Sequence, residues 1–172
     1  MSIFGNLFKK DKENENQETS KNTSNKILVP ITGIVSSVKE CQDPVFAGEM
    51  VGKGSLIIPS EGKIYSPVDG EITMVADSKH ALGLTSSSGL EILIHIGLDT
   101  VELNGEPYTS HVSQGQKVNA GDLLMEFDIE KIKAAGKSPE SPVIITNAED
   151  KEINIIASGQ TNHGEELMEI VG

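Results

Sequence analysis

Two histidines, His80 and His95, are the residues of this chain whose setting is most typical of chemistry. His95 interrupts the apolar run 90–97, whose length and branched side chains predict a strand covered on both faces. An imidazole can act as acid, base, nucleophile or metal ligand near neutral pH. Gly97 leaves the backbone free to approach the ring closely. We therefore interpret His95 as the reactive centre.

The segment between the two histidines predicts a hairpin that brings their rings together. Residues 85–89 read Thr-Ser-Ser-Ser-Gly, which is typical of a turn, so the flanking residues can pair as antiparallel strands. If residues 78–80 are extended, Ser78 and His80 project to the same face. The two imidazoles and one hydroxyl are thus expected to share a site.

A histidine pair of this kind suits attack on phosphorus. The attacking ring nitrogen must be neutral, which requires an acceptor for the proton on the other nitrogen. We expect His95 to attack and the backbone carbonyl of Gly97 to fix its tautomer. His80 and Ser78 would then stabilise the developing charge.

Two other chemistries use similar residues. Zinc could be held by both histidines, a carboxylate and an activated water. Zinc endopeptidases of the lysostaphin type, which have a related strand-rich fold, carry two histidines separated by one residue, and here Gly97 stands in the second position. Residues 115–124 are also similar in spacing to biotinyl and lipoyl carrier modules, but no lysine has the expected place at a hairpin tip.

Composition and charge restrict the remaining function classes. A chain of 172 residues and 18.4 kDa fits one domain. The net charge of -12 argues against nucleic-acid binding and favours basic partners, and the absence of arginine disfavours a permanently bound phosphate ligand. Aromatic residues make up only 3% of the chain, which disfavours direct sugar binding.

Cysteine content and hydropathy predict a cytoplasmic protein. Cys41 is the single cysteine, so no internal disulfide forms, and no motif marks it as a nucleophile. Neither a bilayer-spanning apolar stretch nor an export signal is present in the sequence. We expect Cys41 to be an incidental thiol.

Residues 1–25 differ in composition from the rest and are predicted to form a flexible tail. Residues 11–25 are charged and polar. Within residues 1–10, apolar side chains recur four residues apart and would form one stripe of a short amphipathic helix beside Lys9 and Lys10. The stripe consists of Ile3, Phe4, Leu7 and Phe8. Such a segment suits weak membrane or partner contact, and a frayed terminus is the alternative.

Residues 26–172 predict one all-β domain, a β-sandwich or barrel-sandwich with an internally duplicated strand motif. Short runs of Ile, Val and Leu alternate with Gly, Pro, Asp and Asn. Residues 30–33 are echoed at 67–70, and residues 48–56 are echoed at 115–123, the second echo being the more persuasive. We expect at most one or two very short helices, one of them at 128–135 with Asp128 as N-cap. Closing strands are predicted at 143–146, 153–157 and 167–171.

Several separated motifs resemble the glucose-type IIA component of the phosphoenolpyruvate-dependent sugar phosphotransferase system. They are the segments 67–70, 78–81, 95–101 and 115–122, within a resemblance that covers about residues 27–170. The resemblance implies that His95 accepts a phosphoryl group from phospho-HPr as a tele-phosphohistidine. It also implies transfer from His95 to a cysteine of the IIB domain of a membrane sugar permease, with His80 as the supporting histidine.

The same resemblance implies a docking surface around His95 and no bound cofactor or metal. Its apolar and acidic members match Asp43, Val45, Phe46, Met50, Leu93, Asp99 and Val101. Apolar contacts would give modest affinity, and the acids would attract basic partners. Some relatives also bind regulatory targets, so a regulator that only docks, without carrying phosphate, is the remaining alternative.

The other two histidines are expected to have no catalytic role. His111 is predicted to be a strand residue whose ring bonds a backbone carbonyl, and His163 to lie in a surface turn.

Overall fold

The computed structural model describes residues 25–172. Strands dominate it, and the helices are two short α-helices, α1 (Pro44–Ala47) and α2 (Ile129–Ala134), with 3-10 helices at Val38–Glu40 and Thr100–Leu103. The strands are β1 (Lys26–Leu28), β2 (Gly33–Ser37), β3 (Lys53–Pro59), β4 (Lys63–Tyr65), β5 (Gly70–Val75), β6 (Ala81–Ser86), β7 (Glu91–His95), β8 (Tyr108–Ser110), β9 (Lys117–Val118), β10 (Leu123–Phe127), β11 (Ser141–Ile145), β12 (Glu152–Ile155), β13 (Gly159–Thr161) and β14 (Glu166–Val171). The predicted all-β class with at most two short α-helices is confirmed.

Three antiparallel sheets enclose one main core. The largest has eight strands in the order β13-β2-β3-β11-β7-β6-β5-β9, and the two smaller sheets have the orders β1-β14-β12 and β4-β10-β8. Strand β7, which carries His95, lies between β11 and β6 in the interior of the large sheet. A strand paired on both sides is well suited to hold a reactive side chain in one place.

The alternation along β7 explains how the strand serves both the core and the site. Ile92 and Ile94 are fully buried, whereas Leu93 and His95 are half-buried on the opposite face. Side chains of successive strand residues point to opposite faces of the sheet. The isoleucines therefore anchor the strand in the core, and His95 is left at the outer face.

Helix α2 matches the predicted helix at 128–135, and α1 was missed. The Asp128 carboxylate accepts a hydrogen bond from the Lys131 N–H at 3.0 Å, and Gly136 follows the helix with φ of +77°. Helix α1 has only four residues, too few for a periodic pattern, although Asp43 caps it and Pro44 begins it.

The internal duplication is visible in matched hydrogen bonds at the starts of β2 and β5. Ser60 donates to the Thr32 carbonyl through both its N–H and its hydroxyl, and Ser87 does the same to the Asp69 carbonyl. Thr32 and Asp69 are equivalent positions in the echo of 30–33 at 67–70. This shorter echo is a structural repeat.

The repeat continues into the C-terminal half. In the turn 119–122, the Asp122 carboxylate accepts a hydrogen bond from the Asn119 N–H. In the turn 162–165, the Glu165 carboxylate accepts the equivalent hydrogen bond from the Asn162 N–H. The first turn joins β9 to β10, which pair with β5 and β4; the second joins β13 to β14, which pair with β2 and β1. The duplicated unit thus combines segments that are distant in sequence.

The echo of 48–56 at 115–123, which the sequence made the more persuasive, does not correspond to matched local structure. Gly48 has φ of -82° after α1, whereas Gly115 lies in a turn with φ of +91°. Gly54 lies inside β3, whereas Gly121 has φ of +92° outside any strand. Glycine is frequent in turns and close strand crossings alike, so its spacing alone does not identify a repeat.

The predicted tail lies outside the described residues except for its last residue. Asn25 is already tied to the domain, because its carbonyl accepts from the Ile170 N–H at 2.9 Å. The predicted closing strands are present as β11, β12 and β14, and β13 was not predicted.

Candidate functional site

The hairpin formed by β6 and β7 brings His80 and His95 together, as predicted. Ala81 pairs with His95, and the His80 carbonyl accepts from the Ile96 N–H at 2.7 Å. The two rings meet edge to face with their centroids 5.1 Å apart. The site therefore sits where the hairpin strands end.

The contact expected between His95 and Gly97 is present. The Nδ1 atom of His95 lies 2.7 Å from the Gly97 carbonyl oxygen. A carbonyl can only accept, so in the neutral ring Nδ1 carries the proton and Nε2 carries the lone pair. The geometry thus selects Nε2 as the nucleophilic atom.

The turn after His95 requires glycine at position 97. Gly97 has φ of +81°, and a Cβ atom there would lie 2.5 Å from Thr100 Cγ2. The following Leu98 N–H donates to the Ser138 carbonyl at 2.9 Å, which ties the turn to the loop after α2. Both features hold the Gly97 carbonyl against the ring.

Burial favours the neutral form of both imidazoles. The pKa of His95 is lowered from its ordinary value of 6.5, mainly by burial, and the positive charge of protonated His80 would lower it further. The Gly97 carbonyl and the carboxylates of Asp43 and Asp99 act in the opposite direction. Burial also lowers the pKa of His80. A neutral His95 can act as a nucleophile.

The expectation of an extended 78–80 segment is wrong. Residues 77–78 form a turn, and Lys79 has φ of +58° with its N–H bonded to the Ala76 carbonyl. The left-handed residue changes the direction of the chain between Ser78 and His80, so the argument that placed both side chains on one strand face fails. Within the described residues, the buried Nδ1 atom of His80 has no hydrogen-bond partner.

Phe46 belongs to the interior of the site and not to its surface. It is only 6% exposed, and its ring lies 5.0 Å from that of His95 at a tilt of 54°. It packs in a small apolar cluster with Val38, Cys41, Leu56, Leu98 and Ile144, and Leu93 is half-buried at the edge of this cluster. Phe46 therefore supports His95 from the side and offers little area to a partner.

The remaining members of the predicted docking surface differ in exposure. Val45, Met50 and Val101 are 43%, 77% and 50% exposed, respectively. Asp99 is exposed, with φ of +57° at the start of a 3-10 helix. Asp43 is half-buried, and its carboxylate accepts from the Val45 N–H at 2.9 Å. We refer to Val45, Met50 and Val101 as the apolar rim.

Sequence reasoning missed two buried hydroxyl groups behind the site. Thr100 and Tyr108 both donate hydrogen bonds to the Ile96 carbonyl, at 2.8 and 2.6 Å. Thr100 lies in the motif 95–101 but was given no role there, and Tyr108 lies in no motif. The contact depends on a tertiary arrangement that spacing along the chain does not reveal.

The other histidines and the cysteine lie in distinct settings. The expectation for His111 was wrong: its ring bonds the Glu126 carboxylate at 2.8 Å, across the pairing of β8 with β10. His163 lies in the exposed turn after β13, as predicted, and stacks on Tyr65. Cys41 is buried, and burial raises the pKa of its thiol.

Within residues 25–172, no group of three or more His, Cys, Asp or Glu side chains is placed to hold a metal ion. In the same range, no helix is both long enough and apolar enough to cross a membrane.

Comparison with known proteins identifies the family. Residues 25–151 match the family model described as phosphoenolpyruvate-dependent sugar phosphotransferase system, EIIA 1. The glucose-specific EIIA component of the phosphotransferase system of Bacillus cereus is 49% identical over 133 residues, which cover 77% of this chain and 81% of that protein. The beta-glucoside-specific EIIBCA component of Halalkalibacterium halodurans is 44% identical over 163 residues, 91% of this chain and 26% of that protein.

A solved structure shares the fold. Glucose permease IIA from Mycoplasma capricolum superposes with a TM-score of 0.80 at 38% identity, covering 86% of this chain and 95% of that one. The matched range includes both site histidines and the hairpin that joins them. The chain therefore belongs to the glucose-type EIIA family of the phosphoenolpyruvate-dependent sugar phosphotransferase system.

Proposed function

We propose that this protein is a cytoplasmic phosphocarrier that receives a phosphoryl group from phospho-HPr on Nε2 of His95. The observation that carries the proposal is the 2.7 Å contact between His95 Nδ1 and the Gly97 carbonyl, which leaves Nε2 with a free lone pair. A half-buried, neutral imidazole at the end of a strand is a nucleophile whose orientation is already fixed.

The transfer step exchanges one bond for another. The Nε2 lone pair of His95 attacks phosphorus, and the bond between phosphorus and the leaving atom of the donor breaks with its electron pair kept by the donor. The Nδ1 proton stays on the ring and remains hydrogen-bonded to Gly97, which supports the positive charge that develops on the imidazole. In the next transfer the acceptor attacks phosphorus, and the bond between phosphorus and Nε2 of His95 breaks with its electron pair kept by the ring.

His80 is the group we assign to the phosphoryl oxygens. Its ring lies edge-on to His95 with centroids 5.1 Å apart, near enough to assist a group carried on the neighbouring ring. A ring nitrogen that carries a proton can donate to a phosphoryl oxygen as charge builds up. We retain Ser78, which lies in the turn before His80, as further hydroxyl support in this proposal.

The docking surface proposed for HPr and for the next acceptor comprises the apolar rim, Leu93, and the acidic side chains Asp43 and Asp99. Exposed apolar side chains suit contacts that form and separate repeatedly. Acidic groups attract basic partners and speed their encounter. Phe46 contributes by holding the His95 ring.

The acceptor we propose is a cysteine of the IIB domain of a membrane sugar permease. One relative is a beta-glucoside-specific EIIBCA component, whose name joins IIA to IIB in a single protein. The sugar itself would be recognised by the permease. Residues 26–172 form the domain that carries the phosphoryl group in this proposal.

The proposal is tested by labelling. Incubation with phosphoenolpyruvate bearing labelled phosphorus, enzyme I and HPr is expected to place acid-labile, base-stable phosphate on His95. His95→Ala should remove all label. His111→Ala is the matched control, because that ring is bonded to Glu126 and should leave labelling unchanged.

Two results would contradict the proposal. A wild-type protein that takes up no label would favour a regulator that acts only by docking. Label that persists in His95→Ala would assign the phosphoryl group to another residue.

A further inference from the structure

Two buried hydroxyls converge on one carbonyl behind the reactive histidine. The Thr100 hydroxyl donates to the Ile96 carbonyl at 2.8 Å, and the Tyr108 hydroxyl donates to the same oxygen at 2.6 Å. Thr100 is 0% exposed and Tyr108 is 4% exposed. A carbonyl oxygen has two lone pairs, so both can be engaged at once. We call Thr100 and Tyr108 the hydroxyl clamp.

The clamp binds the Ile96 carbonyl, whose peptide plane directly precedes the plane of the Gly97 carbonyl that accepts from His95. The Ile96 carbonyl and the Gly97 N–H belong to one planar peptide unit. Gly97 is free to adopt conformations on both sides of φ of zero, since it has no Cβ atom. Its φ of +81°, together with its ψ, relates this plane to the next one, whose carbonyl accepts from His95. Fixing the first plane therefore limits where the second can point.

The second plane is held on its N–H side by the loop after α2. The Gly97 carbonyl and the Leu98 N–H share this plane, and Leu98 donates to the Ser138 carbonyl at 2.9 Å. One hydrogen bond leaves a plane free to tilt about that bond. The clamp supplies the restraint from the opposite side of the Gly97 α-carbon.

We propose that Thr100 and Tyr108 are positioning residues for phosphoryl transfer, because they hold the Ile96 carbonyl and thereby aim the Gly97 carbonyl at His95 Nδ1. The assignment rests on the proposed function of His95. Neither hydroxyl touches the phosphoryl group; both act through the backbone on the tautomer of the imidazole. The clamp thus extends the site into the core behind β7.

The chemistry of the clamp suits a permanent restraint. Burial raises the pKa of Tyr108 to about 12, with the Thr100 hydroxyl acting in the opposite direction. Tyr108 therefore keeps its proton, and its donor role, over the pH range in which His95 titrates. Because two donors share one acceptor, either one alone still satisfies the buried carbonyl.

That shared acceptor gives the proposal its distinctive test. Tyr108→Phe and Thr100→Val each remove one hydroxyl and keep most of the side-chain volume. Each single variant is expected to slow phosphoryl acceptance only about twofold to threefold, and the double variant roughly tenfold or more, since it leaves the buried carbonyl unpaired. The loss should appear in kcat with the KM for HPr unchanged.

The tautomer of His95 distinguishes a positioning role of the clamp from a purely structural one. The nitrogen-15 chemical shifts of His95, measured above its pKa, report which ring nitrogen carries the proton. We expect the Nδ1–H population to fall in both single variants and further in the double variant. Thr100→Ser, which keeps the hydroxyl, should retain the wild-type tautomer.

Matched controls remove similar groups elsewhere. Tyr65→Phe removes the other tyrosine hydroxyl, and Thr161→Val removes a hydroxyl bonded to the Gly159 carbonyl at 3.0 Å in edge strand β13. Neither should change the His95 shifts or the rate.

Failure of this inference is distinguishable from failure of the proposed function. If wild-type His95 takes label but both single variants keep wild-type shifts and rates, the clamp has no positioning role, whether or not the double variant folds. If wild-type His95 takes no label, the phosphocarrier function itself is wrong, and the inference falls with it.

Discussion

The rings of His80 and His95 meet edge to face at 5.1 Å, yet only His95 has its Nδ1 atom hydrogen-bonded to the backbone. Because of this asymmetry, the two histidines are suited to different roles. His95 has a fixed tautomer and a defined nucleophilic nitrogen, whereas His80 keeps a buried nitrogen without a partner in the described part of the chain. That nitrogen, Nδ1 of His80, is enclosed by the protein, so in our proposal the other ring nitrogen, Nε2, donates to a phosphoryl oxygen as charge develops.

The first prediction concerns this division of labour. His80→Gln should still accept label on His95, because the nucleophile and its tautomer are unchanged. Delivery to the IIB acceptor should fall roughly a hundredfold, as expected when one donor to a developing charge is lost. Single-turnover transfer from the labelled protein measures the effect. His163→Gln, altered in an exposed turn, serves as the control, and unimpaired delivery by His80→Gln would remove His80 from the mechanism.

The second prediction is the pH dependence of acceptance. Because burial lowers the pKa of His95 below 6.5, the neutral ring prevails at pH 7. The rate should therefore be flat near neutrality and fall only as the pH drops through the lowered pKa of the folded protein. An NMR titration of His95 should give the same midpoint. A midpoint above 6.5 would contradict the dominance of burial.

The third prediction tests the turn at Gly97. Gly97→Ala places a Cβ atom 2.5 Å from Thr100 Cγ2 in a residue with φ of +81°, so both strain and steric overlap result. We expect a loss of stability of about 2 kcal/mol and a strong loss of phosphoryl acceptance. Denaturant titration and labelling measure the two effects.

Gly89→Ala is the matched control for this change. Gly89 also has a positive φ, +91°, but a Cβ atom there meets nothing within 4 Å. It should show the backbone strain alone, with labelling unchanged. Equal behaviour of the two variants would mean that overlap with Thr100 and the carbonyl direction are unimportant.

The parts of the site that sequence predicts are those fixed by local pairing. The β6–β7 hairpin has a turn between two apolar runs, so the approach of His80 to His95 follows from nearby residues alone. The Gly97 contact is equally local, two residues from the ring. Helix α2 was predicted for a similar reason, because the capping Asp128 and the terminating Gly136 flank the helix closely in the chain.

Features that depend on tertiary contacts or on rare backbone conformations were not predicted. Lys79 adopts φ of +58°, a conformation that a lysine seldom takes, and this one residue overturned the strand-face argument for Ser78. The Glu126 partner of His111 comes from a neighbouring strand, and so does not follow from local sequence. The duplicated unit joins residues 26–33 to 159–171, so a search for one contiguous repeat favoured the wrong echo.

The fourth prediction tests the docking surface with a matched pair of valines. Val101 of the apolar rim and Val171 at the end of β14 are 50% and 43% exposed, so a lysine at either position costs the free protein little. Val101→Lys should weaken binding of HPr roughly tenfold, because a charge must be desolvated where an apolar contact was made, and it should repel a basic partner. Val171→Lys adds the same charge outside the proposed contact and should bind as the wild type does.

Salt separates the two contributions to this effect. Screening weakens repulsion between exposed charges as ionic strength rises, but it restores no apolar contact. Calorimetric titration at low and high salt should therefore recover only part of the affinity that Val101→Lys loses. Wild-type affinity in Val101→Lys at low salt would exclude Val101 from the contact, and equal weakening by Val171→Lys would show that overall charge, and not the apolar rim, governs docking.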